Sequence, residues 1–151
     1  MREQSGRSLV EIIGVLAIGA IMVSATYVAY HATSEKQKRF IASETLQDIV
    51  QKTKTLLEYS GYTPVSVDYL IETGVLKNDR APIGGDNWSI TSNFDGTEFS
   101  INLVKLSFEE CAYFVTKKFD WAIRVNVNGY GVSDSSYCLR TGENTISFVA
   151  Q

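Results

Sequence analysis

The chain is 151 residues long, which allows one ordinary domain or a smaller one with an appendage and excludes two large ones. Hydrophobic residues make up 44% and charged residues 21%, with only two prolines, so the composition is neither collagenous nor that of a disordered chain. Fourteen Lys and Arg against seventeen Asp and Glu leave a net charge of -3, which lacks the basic field that nucleic-acid binders rely on, and no nucleic-acid partner is expected.

The chain opens with MREQSGRS and then runs apolar. Residues 9–30 read LVEIIGVLAIGAIMVSATYVAY, 22 positions with one ionisable side chain, Glu11, and no proline. Roughly 20 residues at about 1.5 Å rise cross a hydrocarbon core about 30 Å thick, so this run is long enough to span a bilayer. Arg2 and Arg7 favour a cytoplasmic start, although Lys36, Lys38 and Arg39 follow closely on the far side. His31, at the boundary beside Tyr27 and Tyr30, reads as an interfacial residue. Two simple readings are a secretory signal peptide cut after the small residues Val23, Ser24 and Ala25, and a plain signal anchor. Neither gives Glu11 a partner. An acid inside an apolar span costs on the order of 1 to 3 kcal/mol by insertion scales and asks for one.

A third reading supplies it. Gly6-Arg7-Ser8-Leu9-Val10-Glu11 followed by the apolar run resembles the processing site of type IV pilins and secretion-system pseudopilins. The resemblance implies a leader of residues 1–6, cleavage by a prepilin peptidase between Gly6 and Arg7, methylation of the new amino terminus on Arg7, and Glu11 as the fifth mature residue. It also implies a role for that acid in assembly and register. The physical need is general: a cationic amine buried among apolar helices is very costly unless a carboxylate neutralises it. Buried pairs of this kind are better attested as register devices than as stabilisers. Arg7 stands where the family most often has Phe or Met, so a second positive charge accompanies the amine. Gly14, Ala17, Gly19, Ala20, Ser24 and Ala25 scatter small side chains that permit close helix approach.

The helix is expected to continue. From Ser34 to Tyr59, Phe40, Leu46, Ile49, Val50, Thr53, Leu56 and Leu57 recur at helical steps, which predicts an amphipathic spine over residues 32–60 with one buried stripe. Gly61, with Pro64 beyond it, supplies the stop. The hydrophobic segment is thus residues 7–31, a transmembrane and then filament-core helix.

Residues 61–151 form the head. The stretch 67–75 has helical spacing and ends near a glycine. Asp95-Gly96 predicts a two-residue type I′ hairpin that pairs Ser92 with Phe99, Ile90 with Ile101 and Trp88 with Leu103. Ser107 and Glu110 form a capping box opening a helix over 107–119. Ile123, Val125 and Val127 alternate toward the turn pair Asn128-Gly129, and residues 145–150 alternate again as a closing strand. The predicted fold class is α+β: a long amino-terminal helix packed on a small antiparallel sheet.

Cys111 and Cys138 are the two cysteines. Outside the cytoplasm they read as one disulfide, and the resemblance implies a bridge bounding a carboxyl-terminal region, 111–138, as in type IVb pilins; two unrelated buried thiols are the alternative. Gly84-Gly85-Asp86 and the 93–96 run carry acids near glycine but lack the ligand count of a calcium loop and read as turns. Asn87-Trp88-Ser89 has the form of a glycosylation sequon, and residues 133–136 read as a polar surface tip. With one histidine, no nucleophile motif and no phosphate loop, no catalysis, metal or cofactor is expected.

The function implied is a filament subunit of a type IV pilus-like structure. Its partners would be copies of itself, the lipid bilayer before assembly, prepilin peptidase, and an inner-membrane assembly platform with its ATPase motor. It would sit in a bacterial inner membrane and then in a surface pilus or periplasmic pseudopilus. A minor pilin or type II secretion pseudopilin is the near alternative; a membrane-anchored extracytoplasmic sensor or binding domain is the alternative from another class.

Overall fold

The computed structural model describes residues 4–131 and 134–151, with the side chains of the first helix described from Val10 onward. In chain order these residues form helices α1 (Gln4–Leu57) and α2 (Val67–Glu72), strands β1 (Ser89–Ser92) and β2 (Phe99–Leu106), helix α3 (Phe108–Thr116), strand β3 (Arg124–Val127), a 3-10 turn (Ser135–Tyr137) and strand β4 (Asn144–Ala150). The chain divides into two compact units, one up to Gln37 and one from Lys38 to Gln151, and α1 contributes to both.

In the first unit the stretch of α1 from residue 12 to residue 30 is apolar on every face, as expected of a helix that has lipid or other helices around it. Val10, Ile13, Leu16, Ile21, Val23 and Val28 are all exposed. Its hydroxyls are satisfied internally: Ser24 Oγ donates to the Ala20 carbonyl at 2.6 Å and Thr26 Oγ1 to the Met22 carbonyl at 2.6 Å. That leaves no unpaired polar atom on either side chain, which is what a hydrocarbon environment demands.

In the second unit α1 becomes amphipathic. Ala42, Leu46, Ile49, Val50, Thr53 and Leu57 are buried at three- and four-residue steps. Two residues predicted for this stripe lie off it: Phe40 is 57% and Leu56 47% exposed. At about 100° per residue Phe40 stands roughly 120° round the helix from Leu46, and Ala42 fills the stripe instead. The helix ends where Ser60 and Gly61 N–H both donate to the Leu57 carbonyl at 3.2 Å, with Gly61 at φ 75°.

The sheet has the order β1-β2-β4-β3 with antiparallel neighbours throughout. Its carboxyl-terminal strand is therefore internal, between β2 and β3. Alternation on β2 and β4 turns Phe99, Ile101, Leu103, Ile146 and Phe148 into one core with Leu46, Ile49, Leu70, Phe114 and Val127. At about 25 cal/mol per Å² of apolar surface removed from water, this shared core is the main adhesion between helix and sheet.

The first hairpin keeps the predicted register, Ile90 opposite Ile101 and Ser92 opposite Phe99. Its turn differs. Asp95 Oδ1 accepts from the Thr97 N–H at 3.1 Å, only Gly96 has positive φ (69°), and the strands close at Asn93 N–H to Glu98 carbonyl, 3.0 Å, around a four-residue loop. The Asx turn keeps Asp95 out of the left-handed region that type I′ requires. Trp88 also stands outside the ladder, its N–H donating to the Asp79 carbonyl at 2.7 Å. The true type I′ geometry is at Asn128 (φ 50°) and Gly129 (φ 86°), closed by Val127 and Tyr130.

Helix α3 opens with the predicted capping box, Glu110 N–H to Ser107 Oγ at 3.2 Å and Ser107 N–H to Glu110 Oε2 at 2.9 Å. It ends three residues before the predicted Phe119. Lys117 turns extended (ψ 113°), and Phe119 then packs on Phe148 with ring centroids 5.3 Å apart.

Candidate functional site

The candidate site is the apolar amino-terminal helix of the first unit; the head belongs to the second unit. Gly6 and Arg7 fall within the helical stretch of α1, but their side chains lie outside the described residues. Glu11 is described and exposed on that helix. Around the helix below it, Val15, Leu16, Gly19, Ala20, Val23, Ser24 and Tyr27 line a shallow apolar groove. A Cβ on Gly14 or Gly19 would meet nothing within 4 Å, so these glycines leave open room for a neighbouring helix. None of the membrane-length apolar window is buried by the rest of the described chain. At its end, the His31 ring meets Tyr27 edge-on with centroids 4.3 Å apart and Tyr30 at 6.0 Å.

In the head, Cys111 on α3 is joined to Cys138 by a disulfide with Cα atoms 5.9 Å apart, and both cysteines are buried. The bounded region contains most of α3, β3 and the 3-10 turn. A second clamp, which the sequence reading did not single out, fastens the same region. Asn144, fully buried, donates from Nδ2 to the Leu139 carbonyl at 2.8 Å and the Leu106 carbonyl at 3.1 Å. Its Oδ1 accepts from the Leu139 N–H and from Asn128 Nδ2 at 3.0 Å, and Asn128 Nδ2 also reaches the Tyr137 carbonyl at 2.8 Å. One amide thus ties the end of β2, the turn that follows β3 and the chain beyond the disulfide together, with its acceptor and donors all in use.

The loop before β1 is pinned electrostatically. Lys105 Nζ lies 2.7 Å from Asp86 Oδ2, and this hydrogen bond, with the Asn87 N–H adding, holds the Asp86 carboxyl below its ordinary 3.8 while raising Lys105 above 10.5. Asp134 is lowered by the Ser136 N–H, which caps the 3-10 turn; of the predicted polar tip, residue 133 lies outside the described residues. Asn87 is exposed, its Nδ2 donating to Asp79 Oδ2 at 2.8 Å. Among the described residues no group of three His, Cys, Asp or Glu side chains is placed to hold a metal.

No protein-family model matches the sequence, and no curated protein sequence does. Among solved structures, the fold matches the crystal structure of TcpA, a type IV pilin from Vibrio cholerae El Tor biotype, with a TM-score of 0.60 at 15% identity, covering 76% of this chain and 99% of that one. At that identity the likeness is one of fold. The α+β arrangement of a long amino-terminal helix on a four-stranded antiparallel sheet is the pilin-like fold.

Proposed function

We propose that the protein is a structural subunit of a type IV pilus-like filament, made with a leader of residues 1–6, processed by a prepilin peptidase after Gly6, and polymerised through residues 7–31. The observation that carries this reading is the pairing of a pilin-like head with a helix whose large apolar side chains, Val10 to Tyr30, are exposed. Such a surface needs a cover. Lipid supplies it before assembly and the same helices of other copies supply it afterwards, so apolar contact is retained through the transfer. An assembly motor then has little hydrophobic free energy to overcome. Head-to-tail contacts that do not close into a ring yield a filament.

In this reading the amine exposed at Arg7 is met by Glu11 of a neighbouring copy, which sets the axial stagger. Removing one member of a buried ion pair costs about 3 to 5 kcal/mol because the other is left unpaired. Glu11→Ala therefore keeps leader removal, since the protease acts before assembly, and abolishes surface filaments. Abundant filaments from the Glu11→Ala strain contradict the pairing. The amphipathic residues 32–60 serve as the spine of the head, and the disulfide-bounded region 111–138 as its variable face. A membrane-anchored sensor of the same architecture would keep Met1 and remain wholly in the membrane fraction.

A further inference from the structure

The head presents an aromatic knob at one end of its spine and an apolar groove toward the other. Phe94, in the β1–β2 loop, has its ring wholly in solvent, and Tyr59, just past the end of α1, is 96% exposed. Both belong to one pole, because the Tyr62 N–H donates to the Gly96 carbonyl at 2.8 Å and Ser92 Oγ to the Thr63 carbonyl at 3.3 Å. The loop is stiffened by its own bonds: Asn93 Oδ1 accepts from the Glu98 N–H at 3.0 Å, and Asn93 Nδ2 donates to Thr97 Oγ1 at 3.1 Å. The groove, about 320 Å³, has Ile41, Val75 and Pro82 on its apolar wall and Asp48, Lys77 and Arg80 as its charges. Ile41 is 51% exposed. Asp48 is held by Lys52 at 2.7 Å, whereas Lys77 and Arg80 meet no carboxylate among the described residues.

We propose that Phe94 of one copy seats in this groove of the next, joining heads as well as helices. Three features point to a second copy of the chain. The first is shape: an aromatic anchor on a stiff turn enters an apolar pocket with little ordering cost, and the groove has room for a phenyl ring. The second is charge. Asp95 and Glu58, at the knob, meet no cation among the described residues, against one unpaired Lys54 a turn back, and the groove offers the unpaired Lys77 and Arg80. The third is placement within the head. Asp48 precedes Tyr59 by eleven residues, about 16 Å at helical rise, and Trp88, which also lines the groove, precedes Asn93 by five residues of extended chain, again about 16 Å. Knob and groove therefore occupy different ends of one head, and their contact is heterologous, the kind that repeats without closing.

The inference rests on the filament-subunit reading for the presence of neighbouring copies. The test places the photoreactive residue p-benzoylphenylalanine at position 94 of the full chain in producing cells; irradiation is followed by denaturing electrophoresis and peptide mapping. Covalent multimers are expected, with the adduct on residues 41–48 or 75–88 of a second copy. A probe at position 77 is expected to label residues 92–97 in return. The separation within one head is too long for the probe to bridge, so either adduct reports two copies. Asp95→Asn, which keeps an acceptor for Thr97, and Lys77→Gln each lower the adduct yield about two- to five-fold, the effect of one exposed charge pair. Monomer alone, adducts to a different protein, or adducts elsewhere on the second copy overturn the proposal. Amino-terminal sequencing of the same cells separates the two readings: an Arg7 start without the groove adduct removes this contact and leaves the filament reading standing, whereas a Met1 start removes the filament reading by itself.

Discussion

A Cβ placed on Gly84 would come within 2.2 Å of the Val104 carbonyl oxygen. The loop ahead of β1 crosses β2 at the site of a one-residue register shift against β4, where Lys105 takes a positive φ of 56°. Gly84 itself is at φ 72°, so it answers both a steric and a conformational requirement. Gly84→Ala is expected to destabilise the head by about 2 to 4 kcal/mol, combining left-handed strain with overpacking against backbone. Urea unfolding followed by tryptophan emission measures it; an unchanged midpoint would show that the loop can lift off β2.

Asn144→Leu replaces a side chain of similar volume but leaves the Leu106 and Leu139 carbonyls and the Leu139 N–H without their partner. A loss of about 2 to 4 kcal/mol is expected, since each buried unpaired group costs on the order of 1 to 3 kcal/mol. Faster amide exchange at residues 137–140, ahead of global unfolding, would localise the effect to the clamp.

Reducing the Cys111–Cys138 bridge opens a loop of 27 residues' separation. In the chain-entropy description its removal costs roughly 3 to 4 kcal/mol. Because Asn144 fastens the same region independently, Cys111→Ala with Cys138→Ala is expected to lower the unfolding midpoint while keeping the native fold, as read by amide spectra of the double variant.

The Asp86–Lys105 pair gives a pH dependence with a defined sign. Asp86 titrates below its ordinary 3.8 because Lys105, chiefly, and the Asn87 N–H favour the carboxylate. A lowered carboxyl contributes stability above its unfolded value and loses it as pH falls through the folded one. Asp95, held by Thr97, and Asp134, held by Ser136, act in the same direction. Lys105, raised above 10.5, contributes below that value and loses the contribution as pH rises through its folded one. Lys105→Met is therefore expected to flatten both limbs of a midpoint-versus-pH curve and to leave its neutral plateau nearly level. An unaltered acid limb would mean that the pair does not persist in solution.

The elements most legible in the sequence are those with a strong local period. The apolar run after Leu9, the stripe at Leu46, Ile49 and Val50, and the Ile90–Ile101 register follow from spacing alone, and Ser107 with Glu110 marks its own helix start. The type of the first turn was masked by a side chain: Asp95-Gly96 looks like a type I′ pair until Asp95 bonds to Thr97. Placement of β4 between β2 and β3 depends on pairings between residues far apart in the chain, Phe99 with Ala150 on one side and Arg124 with Val149 on the other, and nothing local encodes it. The Asn144 clamp was hidden for the same reason: it is assembled from segments far apart in sequence, and an isolated Asn carries no signal on its own.

The most direct test of the filament-subunit account is amino-terminal sequencing of this polypeptide recovered from fibres sheared off intact cells. The account predicts a first residue of Arg7, with MREQSG absent. Recovery of Met1 at the amino terminus, or of the protein in the membrane fraction alone, would contradict it.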